Sequence, residues 1–275
     1  MLNAPYNRDA ATTTAGREMN ASHHGITRRR VVRGSAWAAP AIVVGAAAPR
    51  AAASPCPPVS YTIDWSNSSF VRTSSTKASI RATSQNASAP PITLTVTASY
   101  TGAMKSGTET TGDTNLTTVG QVGGSFTSGL KIQQTVTTPD YSTPKRAARG
   151  TYTFAFTGAD GKPVSVSNLA FTVTDIDSTA GDFWDVVELS GAFSSTAASG
   201  VTGTGTTDSP ATAASSNTAF ADTTSSAGNL NVTYQAPTSS VTLTYWSNAQ
   251  RYSRVDRSQG IYIAGMRFSV IANNC

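Results

Sequence analysis

Apolar residues alternate one for one with threonine and serine through Ile92–Tyr100 (ITLTVTASY), which puts Ile92, Leu94, Val96, Ala98 and Tyr100 on one parity. A period of two belongs to a β-strand with one face on a core and the other in water; in a helix the same residues would be scattered around the axis. Tyr152, Phe154 and Phe156 repeat the pattern in GTYTFAFTG, Leu169, Phe171 and Val173 in NLAFTVTD, and Val241, Leu243 and Tyr245 in SVTLTYW. In GIYIAGMRFSV the apolar parity runs through Ile261 and Ile263, then resumes out of phase at Met266, Phe268 and Val270. SYTIDW, KASIRA, LKIQQTVT and LNVTYQ are shorter candidates. Gly, Pro, Asn or Asp bounds each run, so an all-β, antiparallel β-sandwich is expected. The phase change at Gly265 predicts a bulge, and GADGKP (158–163) a tight turn.

The strong case for helix is confined to the first 53 residues. Thr27-Arg28-Arg29-Arg30-Val31-Val32-Arg33 carries the twin-arginine pattern, a mildly apolar stretch follows from Gly34 to Ala48, and Ala51-Ala52-Ala53 supplies small residues for cleavage. Arg28 and Arg29 are therefore read as an export signal, cleaved between Ala53 and Ser54 and recognised by the twin-arginine machinery. The Ala-rich style resembles leaders of proteins secreted by high-GC Gram-positive bacteria, and Met19 offers a second start closer to the arginines. A secreted or surface location follows, with no stable membrane span expected in the mature chain.

Removing that leader changes the electrostatics. Seven of the twenty Lys/Arg residues and two of the fifteen acidic ones leave with it, so the remaining thirteen of each cancel. A basic nucleic-acid-binding surface has no compositional support. Both histidines, His23 and His24, leave as well, which excludes Ser-His-Asp catalysis and histidine-bound zinc from the mature chain. Cys56 and Cys275 remain, and two cysteines in an exported chain favour a disulfide. Closing a loop of about 220 residues would contribute about 5 kcal/mol in the chain-entropy model.

Residues 54–275 are expected to form one β-sandwich domain. Residues 194–229, nearly all Ser, Thr, Ala and Gly, read as a long surface loop, a flexible insertion or a weak edge strand. A split into 54–140 and 141–275 is the alternative.

Five of the fifteen carboxylates fall in Phe171–Gly191: Asp175, Asp177, Asp182, Asp185 and Glu188. Asp175 and Asp177 continue the core parity of Phe171 and Val173, and unpaired buried charge is costly, so each needs a partner. Backbone amides, arginines or calcium are the choices. EF-hand spacing fails: from Asp175 the sixth position is Ala180, not Gly, and the twelfth is Val186, not Glu. A non-EF-hand calcium site would use Asp175, Asp177, Asp182 and Asp185. The second cluster, YWSNAQRYSRVDRSQG, offers Trp246 on the outward parity with Asn248, Arg251, Tyr252 and Arg254, a set suited to stacking on and hydrogen-bonding a sugar.

NLAFTVTDID…GDFWDVVELSG, followed by VTLTYWSN…QGIYIAGMRFSV, resembles C-terminal jelly-roll modules of bacterial secreted and cell-surface proteins over about residues 150–273. The resemblance implies a jelly-roll-like, lectin- or adhesin-like sandwich and transfers no ligand. The expectation is a non-enzymatic exported module that binds carbohydrate or another surface ligand, with no cofactor unless calcium. A secreted carbohydrate-active hydrolase using the 175–188 carboxylates and a purely structural envelope protein are the other readings.

Overall fold

The computed structural model describes residues 56–107, 114–136, 145–220, 222–248 and 258–271. The alternating segments form antiparallel strands. The first are β1 (Pro58–Thr62), β2 (Val71–Ser74), β3 (Lys77–Arg81), β4 (Thr83–Ser84), β5 (Thr93–Thr101), β6 (Met104–Ser106) and β7 (Thr118–Val119). β8 (Gly129–Val136), β9 (Arg149–Thr157), β10 (Ser167–Thr174), β11 (Ser178–Thr179), β12 (Phe183–Leu189) and β13 (Phe193–Ala197) follow. The last are β14 (Val201–Thr202), β15 (Ala211–Ala213), β16 (Leu230–Tyr234), β17 (Ser240–Ser247) and β18 (Ser258–Ile271), and a single 3-10 turn spans Lys145–Ala147.

Two antiparallel sheets result. One runs β13-β16-β10-β18-β1-β4, with β8 also on β18; the other runs β14-β15-β12-β17-β9-β5-β3-β2. Within them, β8-β18-β10-β16 faces β9-β17-β12-β15, and the chain crosses between the two four-strand sets at every step except β12 to β15. That is jelly-roll wiring. The N-terminal strands widen the same two sheets, since β5 pairs with β9 from Thr93↔Thr157 to Thr101↔Arg149 and β1 pairs with β18. Strands from both sides of residue 140 therefore share each sheet, and residues 53–275 form one compact unit.

The low-complexity stretch 194–229 is more than an insertion. It contributes most of β13 and all of β14 and β15, and β15 pairs with β12 through Val186↔Thr212 and Val187↔Ala211. Its buried positions are Ala211 and Ala213, so the strand shows no apolar alternation beyond two methyl groups.

Between the sheets, Leu94, Phe154, Phe156, Val187, Leu243 and Tyr245 meet Leu130, Ile132, Phe171, Val173, Ile261 and Ile263 in one core. Burying each such side chain contributes about 1.5–3 kcal/mol. The Phe156 and Phe268 rings pack edge-on at 4.9 Å. β18 bends at Gly265, which has φ +61°, and the bend lets its two halves pair with β8 and with β1 on the same edge. The GADGKP turn forms as its sequence predicts: Asp160 Oδ1 accepts from the Lys162 amide at 3.0 Å, and Gly161 takes φ +74°.

Candidate functional site

β10 ends at Thr174 because Asp175 turns into the left-handed region, φ +67°, which Asp tolerates better than most residues. This one residue shifts the inward parity. Ile176, fully buried, takes the core position that simple alternation would have given Asp175. Asp175 itself is half-buried, while Asp177 is buried beyond it.

Asp185 arrives from the other sheet. It continues the inward parity of Val187 and Leu189 along β12 and has no exposed surface. Its Oδ1 accepts the Tyr245 hydroxyl at 2.5 Å, and its Oδ2 accepts the Asp177 amide at 3.2 Å. The Asp185 amide returns a bond to the Asp177 carbonyl at 2.9 Å. Asp177 Oδ2 in turn accepts the Phe220 amide at 2.9 Å. Among the described residues, backbone amides and a tyrosine hold these two carboxyls.

The electrostatic consequence is that all three hold protons more tightly than free carboxyls. Burial, then the Asp177 and Asp222 charges, pushes Asp175 up to about 8, with Lys131 opposing. Burial pushes Asp177 up to about 6 against the Phe220 amide, which lowers it. Burial, reinforced by Asp177, drives Asp185 well above the carboxylate range.

Glu188 stands apart on the outer face of β12. Arg146, on the 3-10 turn, meets its Oε2 at 2.5 Å, and Thr207 Oγ1 donates to its Oε1 at 2.9 Å. The same Arg146 guanidinium lies 5.6 Å from the Trp246 ring centroid. Trp246 has the outward parity expected of it, opposite Val186, but it is only 6 % exposed because the 3-10 turn covers its face. It is not an open stacking platform. Asn248, half-buried, donates its amide to the Trp184 carbonyl at 2.7 Å. Asp182 lies at the turn between β11 and β12, its amide bonded to the Thr179 carbonyl. The structure therefore gathers Asp175, Asp177 and Asp185 but sends Glu188 and Trp246 to the opposite surface. Arg28, Arg29, Ala53, Ser54, Arg251, Tyr252, Arg254 and Cys275 lie outside the described residues.

The chain matches no family model, no curated protein and no solved structure.

Among the described residues, no group of three or more Asp, Glu, His or Cys side chains is arranged to hold a metal ion. The four-aspartate calcium set thus does not converge: Asp185 is taken up by Tyr245 and Asp177, inside the core. Sequence reasoning missed Tyr245 and Arg146 as partners of the acids, and Asp222 as a further acid beside Asp175 and Asp177. Tyr245 had a visible signal, its inward parity. Asp222 lies in the low-complexity stretch, and Arg146 precedes its Glu188 partner by 42 residues, so neither had one.

A different surface emerges from the strand registers. The outward positions of β17, β9, β5 and β3 align as Thr244–Thr151–Ser99, Thr242–Thr153–Thr97–Lys77 and Ser240–Ala155–Thr95–Ser79. Sheet geometry spaces these side chains at about 4.8 Å across strands and about 7 Å along them. The face is neutral at its centre and carries Lys77, Arg81 and Arg149 at its margins, with Glu188 of β12 beside Thr244. At the end of the sandwich away from the acids, Pro90, Pro163, Val164, Pro237, Val270 and Ile271 line an open groove.

Proposed function

We propose that the protein is an exported β-sandwich module of the cell surface or medium that binds a polyhydroxylated ligand, of glycan type, without turning it over. The observation that carries the reading is the ranked hydroxyl face of β17, β9, β5 and β3. Each Thr or Ser there offers a donor and an acceptor, and each threonine adds a methyl for the apolar edge of a sugar ring. The leader motif at Arg28-Arg29 supports export. Binding rather than hydrolysis is supported by the acids, since Asp177 and Asp185 are buried, Asp177 accepting the Phe220 amide and Asp185 the Tyr245 hydroxyl and the Asp177 amide.

The test is a glycan array and polysaccharide pull-down with the wild-type protein and with Thr97→Val/Thr153→Val, which removes two hydroxyls from the centre of the face and keeps β-branched shape. Glycan retention that the double variant loses, at unchanged melting temperature, is the expected result. A wild-type protein that retains nothing, or a variant that binds equally well, overturns the reading. Release of new reducing ends over time would transfer it to the hydrolase class.

A further inference from the structure

Thr174 and Asn229 are buried, and each keeps an oxygen without a hydrogen-bond partner among the described residues: Oγ1 of Thr174 and Oδ1 of Asn229. Asp175 Oδ1 is a third. Leaving three buried oxygens unmatched is expensive, about 1–3 kcal/mol for each, unless something answers them.

The three belong to one place. Thr174 and Asn229 close over Gly123, where an added Cβ would stand 2.6 Å from Thr174 Cγ2 and 3.1 Å from Asn229 Oδ1. Asn229 Nδ2 donates to the Gly123 carbonyl at 3.1 Å, which fixes its amide and directs Oδ1 away from that bond. The Gly123 amide donates to the Asp222 carbonyl at 2.7 Å. Asp222 Oδ2 accepts the hydroxyl of Tyr262, the cross-strand neighbour of Thr174, at 2.7 Å. Asp175 follows Thr174 in the chain, with its Cα 3.2 Å from the Cβ position of Gly228, the residue before Asn229. Two carboxylates and an amide oxygen thus lie at one turn, and Thr174, whose methyl meets Gly123, brings a buried hydroxyl beside them.

We propose that Asp175, Asp222, Asn229 and Thr174 form a binding site for a hard divalent cation of calcium type. Every donor is oxygen, which disfavours zinc and the softer transition metals. The mixture of charged and neutral oxygens on irregular turns suits calcium, which accepts variable geometry, better than magnesium with its strict octahedron. The site needs only two carboxylates, so it stands with the absence of any three-acid cluster. It also differs from the set suggested by sequence spacing: Asp175 is kept, and Asp182 and Asp185 are replaced by residues from β10 and the 222–229 turn. Among the described residues, Lys131, whose ammonium lies 5.8 Å from the Tyr262 ring centroid, is the cation that opposes these acids.

Terbium(III) is the probe, since its emission is sensitised by nearby aromatic rings and the Tyr262 hydroxyl is bonded to Asp222. The purified chelator-treated protein is titrated with terbium, the signal is competed with calcium, and melting is followed with calcium and with chelator. The expected result is sensitised emission displaced by calcium, with a melting temperature that rises in submillimolar to millimolar calcium and falls back in chelator. Asp222→Asn, at an exposed residue, and Asn229→Ala should each weaken terbium binding by about tenfold or more, whereas Asp182→Asn should leave it unchanged. Wild-type protein that shows neither sensitised emission nor a calcium-dependent shift overturns the site. So does an Asp222→Asn variant, folded by circular dichroism, that binds terbium like wild type.

Discussion

The Tyr245 hydroxyl and Asp185 Oδ1 are 2.5 Å apart in the interior, and neither residue has exposed surface. Tyr245 comes from β17 and Asp185 from the neighbouring strand β12, so the bond ties two central strands at the end of the core where the apolar side chains give out. Burial lowers the effective dielectric and makes an unmatched partner costly. Tyr245→Phe should therefore destabilise the fold by about 1–3 kcal/mol, because it leaves the Asp185 carboxyl one donor short. Urea unfolding at pH 7 in chelator measures this, and a change within about 0.5 kcal/mol would count against a structural role for the bond.

The acids make a directional prediction about pH. Asp177 is pushed up to about 6, Asp175 to about 8 and Asp185 well above the carboxylate range, each chiefly by burial. Unfolded aspartates ionise near pH 4. Below that both states are protonated and the groups cost nothing. As pH rises, the unfolded chain releases protons that the folded chain keeps, so stability falls between about pH 4 and pH 8. In chelator the folding free energy should be lower at pH 8 than at pH 5 by at least ~2 kcal/mol, and Asp185→Asn, which keeps an acceptor for Tyr245, should flatten the curve. A profile that climbs from pH 5 to pH 8 would reverse the assignment.

Gly265 is required where β18 bends. Its φ of +61° and the Phe126 ring, 2.5 Å from where a Cβ would sit, both resist a side chain. Gly265→Ala should cost on the order of 2 kcal/mol and Gly265→Val more, by the left-handed strain of an L-residue and the displaced ring. Thermal melting checks it; an unchanged alanine variant would mean that the strand straightens without loss.

The same glycine shows what the sequence makes legible. The out-of-phase apolar parities on its two sides locate the bend, and the long alternations predict β5, β9, β10 and β17 to within a residue or two. They are readable because a strand's inward face reports its own core locally. β15 is not, since its core positions are alanines within a run of alanine, serine and threonine. Asp175 illustrates a subtler limit: alternation pointed it inward, and its left-handed backbone handed that position to Ile176. Trp246 was legible in direction but not in burial, which depends on a turn about one hundred residues earlier in the chain. The Thr174–Asn229–Asp222 set joins three segments with no common sequence period.

Arg146 covers Trp246 and meets Glu188 at once. Half of its side chain remains exposed, so the ion pair should contribute only about 0–1 kcal/mol. Arg146→Ala should accordingly change stability little while uncovering the indole, giving red-shifted, more readily quenched tryptophan emission. Emission identical to wild type would show that another group shields Trp246.

β1 and β18 run antiparallel in continuous register, from Thr62↔Arg267 to Pro58↔Ile271. Cys56 precedes Pro58 by two residues and Cys275 follows Ile271 by four, so the paired strands bring both ends of the domain to one corner of the sandwich. A trans chain advances at most about 3.6 Å per residue, and four residues after Ile271 are ample to fold back on Cys56. A Cys56–Cys275 disulfide is the expected outcome in an oxidising compartment. It would close nearly the whole domain into one loop, for which the chain-entropy model gives about 5 kcal/mol, less any strain in the folded state. Cys56→Ser and Cys275→Ser should each lower the melting temperature by on the order of 10 °C, and by the same amount as reduction of the wild type. Mass spectrometry after alkylation without reductant should find no modified cysteine. Two alkylated thiols in the native protein would refute the pairing, and the β1–β18 register would then have to hold the corner without a covalent tie.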